Sequence, residues 1–219
     1  MTITIKRAEP IHASGIANVF RKAFNEEITV ADVGRGLQIP HYSLVALEGE
    51  RVVGLTGGFI TTAHDGQKRL ELDLQAVHPD YQGQGIGTRL IQQFCNTDTE
   101  FNLIRALVAV DRHHMHYLMT KLGFISDRQS QSLYIATQSA DTAPVPEDAH
   151  VIPVTTLSYL GIWLEGNITQ QAIHSALSQR PHDGIVGAVV PANDAPVTQL
   201  LMREGFSYIK DFHWWIKSR

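Results

Sequence analysis

The sequence holds a single cysteine, Cys95, among 219 residues, so no disulfide can close within the chain. Cys95 falls among apolar positions of a predicted helix, which points to a buried, inert thiol and suits a reducing, cytoplasmic setting. Long apolar runs are missing as well. No stretch approaches the ~20 residues that a membrane-spanning helix needs, and the opening Met1-Thr2-Ile3-Thr4-Ile5-Lys6-Arg7 lacks the apolar core of a signal peptide. No membrane partner is expected. Charge of one sign is scarce: 18 Lys and Arg stand against 22 Asp and Glu, a formal net charge of -4. No dense basic run follows a phosphate backbone, which argues against nucleic acid. What is present is 43% hydrophobic residues, enough for one large domain or two small ones.

Apolar periodicity orders the first part of the chain. Ile3 and Ile5 alternate with polar residues before Pro10, which predicts a short strand and then a helix over 11–24. Residues 25–40, broken by Gly34, Gly36 and Pro40, read as a short helix or a mobile loop. Two β-type runs around Glu48-Gly49-Glu50 predict a hairpin reaching about residue 62. Strict alternation over 70–77 predicts a strand with one polar face. Beyond it come a glycine-rich turn and a helix whose Ile86, Leu90, Ile91 and Phe94 share a face. A buried strand over 103–110 follows, then a helix over 112–122 ending at Gly123 and strand material over 132–137. Residues 139–150, with Pro144 and Pro146 and no periodicity, read as a linker between a domain at 1–138 and a smaller one at 151–219.

The turn carries the chemistry. A strand that ends in glycines and opens into a helix presents unpaired N–H groups at the positive end of the helix dipole, a seat for pyrophosphate. Gly83, Gly85 and Gly87 keep side chains out of the way of close backbone approach. With its flanks, Val77-His78-Pro79-Asp80-Tyr81-Gln82-Gly83-Gln84-Gly85-Ile86-Gly87 resembles motif A of the GNAT superfamily of N-acetyltransferases, whose Arg/Gln-x-x-Gly-x-Gly/Ala signature is met by Gln82, Gly85 and Gly87. The order of elements through residue 137 resembles that family too. The resemblance implies a GNAT fold of the α+β or α/β class, with a mixed, mainly antiparallel sheet flanked by helices. It implies acetyl-CoA as co-substrate, held by the loop from Gln82 through Gln84, Ile86 and Thr88. Main-chain groups of Gln75, Ala76 and Val77 would lie along the pantetheine and acetyl carbonyl, and Asp111 stands at the Asn-like position of motif B.

Acetyl transfer to an amine needs a base for the amine and an acid for the departing thiolate. Glu71 and Asp73 share the polar face of their strand under a two-residue period. Glu71 matches the position where many GNAT enzymes carry a glutamate base, and Asp73 is then read as a site for the cationic amine; equally, both acids could decorate a solvated face or pair with Arg69 or Lys68. Where the family carries a proton-donating tyrosine, four residues before Gly123-Phe124, stands Met119. Tyr117 lies about 200° away around the helix, which leaves water or His116 to reprotonate the thiol. His113 and His116 have helical spacing for a metal, yet no third ligand is evident, so no metal is expected. Phe24, His41 and Tyr42 lie where an acceptor site could be shaped.

One ungapped shift lays the C-terminal part on the first domain: Ile86-Leu90-Ile91-Phe94 falls on Ile168-Ala172-Ile173-Ala176, Asp111 on Asn193, and Gly123-Phe124 on Gly205-Phe206. This reads as a half-GNAT-like repeat that begins at the long strand with Val151-Ile152-Pro153-Val154 and lacks the hairpin before it. Its loop, Trp163-Leu164-Glu165-Gly166-Asn167-Ile168-Thr169, would be crowded by side chains and repel phosphate through Glu165. One acetyl-CoA per chain follows. A half-sheet must cover its apolar face against the first domain or a second copy in a homodimer, with Trp214 and Trp215 either anchoring that contact or filling the smaller core. The expected activity is direct acetyl transfer to a primary amine on a small molecule or peptide. A non-catalytic acyl-CoA-binding or regulatory module, motivated by Met119, is the rival.

Overall fold

A computed structural model describes residues 2–38, 42–63, 65–96 and 101–218. Strand β1 (Ile3–Arg7) leads through a 3-10 turn into helix α1 (Ala13–Phe24) and helix α2 (Val30–Gln38). The hairpin β2 (Leu44–Glu48) and β3 (Arg51–Thr62) is followed by the long strand β4 (Lys68–Val77) and helix α3 (Ile86–Cys95). Strand β5 (Leu103–Ala109), helix α4 (His113–Lys121) and strand β6 (Ile125–Ala136) complete the first half. The second half runs β7 (Ala149–Thr155), β8 (Leu160–Gly166), α5 (Gln170–Ser178), β9 (Ile185–Pro191), α6 (Ala195–Arg203) and β10 (Ser207–Ser218).

All ten strands join one sheet in the order β1-β2-β3-β4-β5-β10-β6-β9-β8-β7. Among the described residues only β4–β5 and β8–β9 pair in parallel, and every other pair is antiparallel. The last strand therefore sits between β5 and β6, bonded to both, while β6 pairs with β9 of the second half. Alternation divides the side chains. Leu70, Leu72, Ile104, Ala106, Val108 and Trp215 meet α3 and α4 in one core, and Ile162, Leu164, Val186, Ala188, Tyr134 and Ala136 meet α5 and α6 in another. Trp215 thus anchors the C-terminal strand in the core of the first half, at 6% exposure. On the opposite face α1 and α2 pack on Val45, Leu47, Val52 and Leu55. There the sheet curls enough for Ile152 and Val154 of β7 to meet Phe59 of β3.

Of the two readings open for residues 25–40, the short helix forms, over 30–38. Gly36 lets it approach the turn after β7: an added Cβ would stand 2.7 Å from the carbonyl oxygen of Thr156. Val33 and Leu37 on its inner face are buried. One expectation changes: residues 151–154 form a hairpin strand antiparallel to β8, and β8 is the strand that pairs in parallel with β9. Trp163 to Gly166 are therefore strand rather than loop, as their alternating burial requires: Ile162 and Leu164 turn to the helices, Trp163 and Glu165 to the other face.

Candidate active site

The glycine turn adopts the conformation that its composition dictates. Gly83 and Gly85 have φ of 75° and 74°, and Gly85 is the N-cap of α3. Such left-handed angles strain any residue with a Cβ. Space above both is open, with no atom within 4 Å of an added Cβ. The first amides of α3 have no partner within the helix and border a cavity of about 490 Å³ walled by Gln82, Gly83, Gly85, Ile86, Gly87 and Thr88 with Val77 and Ala76. Gln75 ties β4 to this turn, donating from Nε2 to the carbonyl oxygen of Gly87 at 2.8 Å. Gln82 fixes the loop by donating to the carbonyl oxygen of Val77, at 3.1 Å. Gln84 is exposed on the loop.

This cavity continues into a cleft of about 460 Å³ between β4 and β5. Parallel pairing ends at Leu72–Ala106, so the main chain of Asp73 to Val77 diverges from β5 and opens toward the cleft. Phe24, Gln75, Arg112, His114 and Met115 border both spaces. Met119 is buried at the cleft wall. His116 does not face the cleft: its Nε2 lies 2.9 Å from the carbonyl oxygen of Ala109, and its ring packs on Trp215 and His213. Asp111 is an exposed residue paired with Lys210 at 3.1 Å, and it borders neither space; its neighbour Arg112 does. Tyr42 packs edge-on against Phe101, away from the cleft, and His41 lies outside the described residues. Among those residues no three His, Cys, Asp or Glu side chains gather as a metal site.

The two carboxylates on β4 have different surroundings. Glu71 is buried, takes two hydrogen bonds from Nε and one from Nη2 of Arg105 at 2.7–3.1 Å, and accepts from the Thr61 hydroxyl. Arg105 also reaches Glu165 at 2.8 Å, and Arg69 bridges Glu165 at 2.9 Å and Glu71 at 3.5 Å. Burial pushes the Glu165 carboxyl up, but Arg105 and Arg69 overcome this and hold it below its ordinary value. Glu165 is thus an ion-pair partner, and no phosphate loop surrounds it. Asp73 has no arginine partner among the described residues. Asp73 is an exposed residue of β4 that borders the cleft; desolvation by the protein around its carboxyl raises its pKa to about 7, opposed by the Tyr159 hydroxyl and aided by the charge of Glu71. Tyr159 in turn accepts from Nε1 of Trp163 at 3.2 Å.

The model of the acetyltransferase (GNAT) family matches residues 15–124, half of the chain. The chain belongs to the GNAT family of acetyltransferases. Acetyl-CoA is the co-substrate. No curated protein matches the sequence. Among solved structures, a putative acetyltransferase from Pyrococcus horikoshii is similar over 99% of this chain and 89% of its own, at TM-score 0.65 and 14% identity. A GCN5-related N-acetyltransferase from Sphaerobacter thermophilus covers 99% and 95%, at 0.59 and 12%. A putative acetyltransferase from Salmonella typhimurium, solved with its cofactor acetyl-CoA, covers 59% of this chain and 83% of its own, at 0.50 and 18%. At these identities the likeness is one of fold.

Within this GNAT protein, one cavity was not foreseen from the sequence. About 280 Å³ in volume, it lies beyond Asp73, and Leu72, Asp73, Leu107 and Phe212 border both it and the β4–β5 cleft. Its walls come from β3, β4, β5, β6, β8, β9 and β10. No local sequence pattern announces it, because its members are brought together by strand order alone.

Proposed function

We propose that this GNAT protein transfers the acetyl group of acetyl-CoA to a primary amine by direct attack, with Asp73 as the base. The observation that carries the reading is the position of Asp73, a carboxyl with a pKa near neutrality at the junction of the cleft and the cavity beyond it. A base is most effective when its pKa lies near the working pH. Glu71, the family's usual choice, is saturated by Arg105 and Thr61 and is assigned to positioning: it holds Arg105 and adds a smaller push to the rise that desolvation gives Asp73.

The glycine turn with Gln82 to Thr88 holds the pyrophosphate through backbone amides, and the diverging main chain of Gln75, Ala76 and Val77 lies along the pantetheine arm. The thioester supplies the activated acyl group. Asp73 takes a proton from the bound ammonium, freeing the lone pair that forms the C–N bond as the C–S bond breaks. The new amide nitrogen sheds its second proton to water, and the thiolate takes one from water or from His114, which borders the cleft.

The C-terminal half is read as a partial repeat. Its support is that one constant shift carries β5, α4 and β6 onto β9, α6 and β10 with both ends of every element matching, and that the same parallel pairing stands ahead of each set. The paired residues Arg69 and Leu103 of the first half are farther apart in the chain than Gly161 and Ile185 of the second. The shortfall falls where the first half has its diverging strand and glycine turn, in keeping with one acetyl-CoA per chain.

Titration of acetyl-CoA by calorimetry, followed by thiol release with a panel of amines, tests the reading. Binding at one site with amine-dependent release is the expected outcome. Binding without release on any amine would leave a non-catalytic module.

A further inference from the structure

The cavity beyond Asp73 has a chemistry that selects its occupant. Six side chains, Phe59, Leu133, Trp163, Ile185, Phe212 and Trp214, give it apolar and largely aromatic walls. At about 280 Å³ it falls just below the ~300–1,000 Å³ of typical drug-sized ligand sites, room for one ring-sized body rather than a peptide. Its charged groups are nearly all engaged. Arg105, the cation on the wall, is held between Glu71 and Glu165 and stacks on the Trp214 ring with 4.4 Å from guanidinium carbon to ring centre. Asp73 is the carboxylate left without an arginine among the described residues. The cavity thus offers one negative site at its mouth and apolar walls behind it, and among the described residues its own lining carries no unengaged cation for a carboxylate on the acceptor's body, the cations Arg112 and Lys210 lying outside it in the adjoining cleft.

Resting on the transferase reading above, we infer that the acceptor is a small monoamine with an apolar, ring-sized body and no carboxylate, its ammonium at Asp73 and its body among Phe59, Trp163 and Trp214. Burial of the ring removes apolar surface from water, and truncating the body to a methyl group forfeits that gain. An α-carboxylate on the same skeleton would be desolvated without a partner, the costliest mismatch a pocket can impose. Polyamines carry further charges that the apolar walls cannot solvate. Tyr159 and Trp163, both from the second half, orient the Asp73 carboxyl and form the wall, so the C-terminal half completes the acceptor site.

Phenethylamine, L-phenylalanine, ethylamine and spermidine separate these features, with thiol release from acetyl-CoA as the readout. Phenethylamine is expected to exceed each of the others by about 100-fold in kcat/KM. Its binding is expected to quench the fluorescence of Trp163 and Trp214 without any turnover being needed. Leu133→Trp, which fills the cavity, is expected to abolish both signals while the acetyl-CoA affinity measured by calorimetry stays unchanged. Binding of phenethylamine without thiol release retains the pocket assignment and removes the transferase reading. Equal or better turnover of phenylalanine or spermidine, or no binding of phenethylamine by wild type, overturns the assignment. So does a hexanoyl-CoA preference with indifference to the amine's body, which would make the cavity an acyl-chain pocket.

Discussion

Asp73 and Glu71 lie two residues apart on β4 and both line the cavity, yet their partners give them different surroundings. Replacing Asp73 by Asn is expected to lower kcat/KM by about 10²–10⁴-fold, the usual worth of a positioned base, with acetyl-CoA binding retained; steady-state kinetics and calorimetry check the two halves of this statement. Protonation adds a sign that can be tested. The folded state holds the Asp73 proton up to a pH of about 7, whereas the unfolded chain loses it near the ordinary value, so this group makes the protein less stable as pH rises across that interval. Denaturation at pH 5 and pH 8 is expected to show that slope in wild type and a flatter one in Asp73→Asn. Glu71→Gln is expected to cost about 3 kcal/mol in stability, because it leaves Arg105 short of a buried counter-charge. Both acids line the cavity, but alternation holds only to Leu72: a register shift at Asp73 turns Leu74 to the α1–α2 core instead of the core of Leu70 and Leu72. The difference between the acids was not legible either, since Arg105 meets Glu71 through the β4–β5 pairing and Glu165, four strands from β5 in the sheet, reaches both only where the sheet curls.

At the scale of elements, the turn into α3 was the most legible feature, because glycine spacing, a preceding strand and a following amphipathic helix all report the same local geometry. Gly85→Ala forces a Cβ into a left-handed angle at a cost of about 1–2 kcal/mol, and the acetyl-CoA Kd is expected to rise about tenfold, as calorimetry would show. Strand β8 was less legible. The ungapped shift that fits β9, α6 and β10 carries β4 onto 150–159, which spans most of β7 and the turn after it. The alternation of Ile162 and Leu164 against Trp163 and Glu165 was the local signal for a strand there. Helix α2 shows tertiary contact giving a glycine a second meaning: Gly36 argued against a long helix, and in the short helix that forms it is also where the helix comes close to Thr156.

For the whole molecule, the insertion of β10 between β5 and β6 makes the two halves share one sheet and line one cavity. Such a sheet is expected to unfold in one cooperative transition, with coincident fluorescence and circular dichroism curves. Trp215→Ala is expected to cost about 3–5 kcal/mol, although the residue lies near the end of the sequence, because it fills the first core. Pairing between strands this far apart in the chain leaves no mark in local periodicity, so the element order could be read while the sheet order could not. What the shared sheet accomplishes is to close a cavity beside Asp73, and the proposal is that acetyl transfer runs through that carboxyl. The pH dependence of kcat/KM for an amine that the enzyme acetylates, compared between wild type and Asp73→Asn, tests it most directly. Wild type is expected to show an acid limb with an inflection at about pH 7 that is absent in the variant. An unchanged limb in Asp73→Asn, or its loss in Glu71→Gln instead, would contradict it.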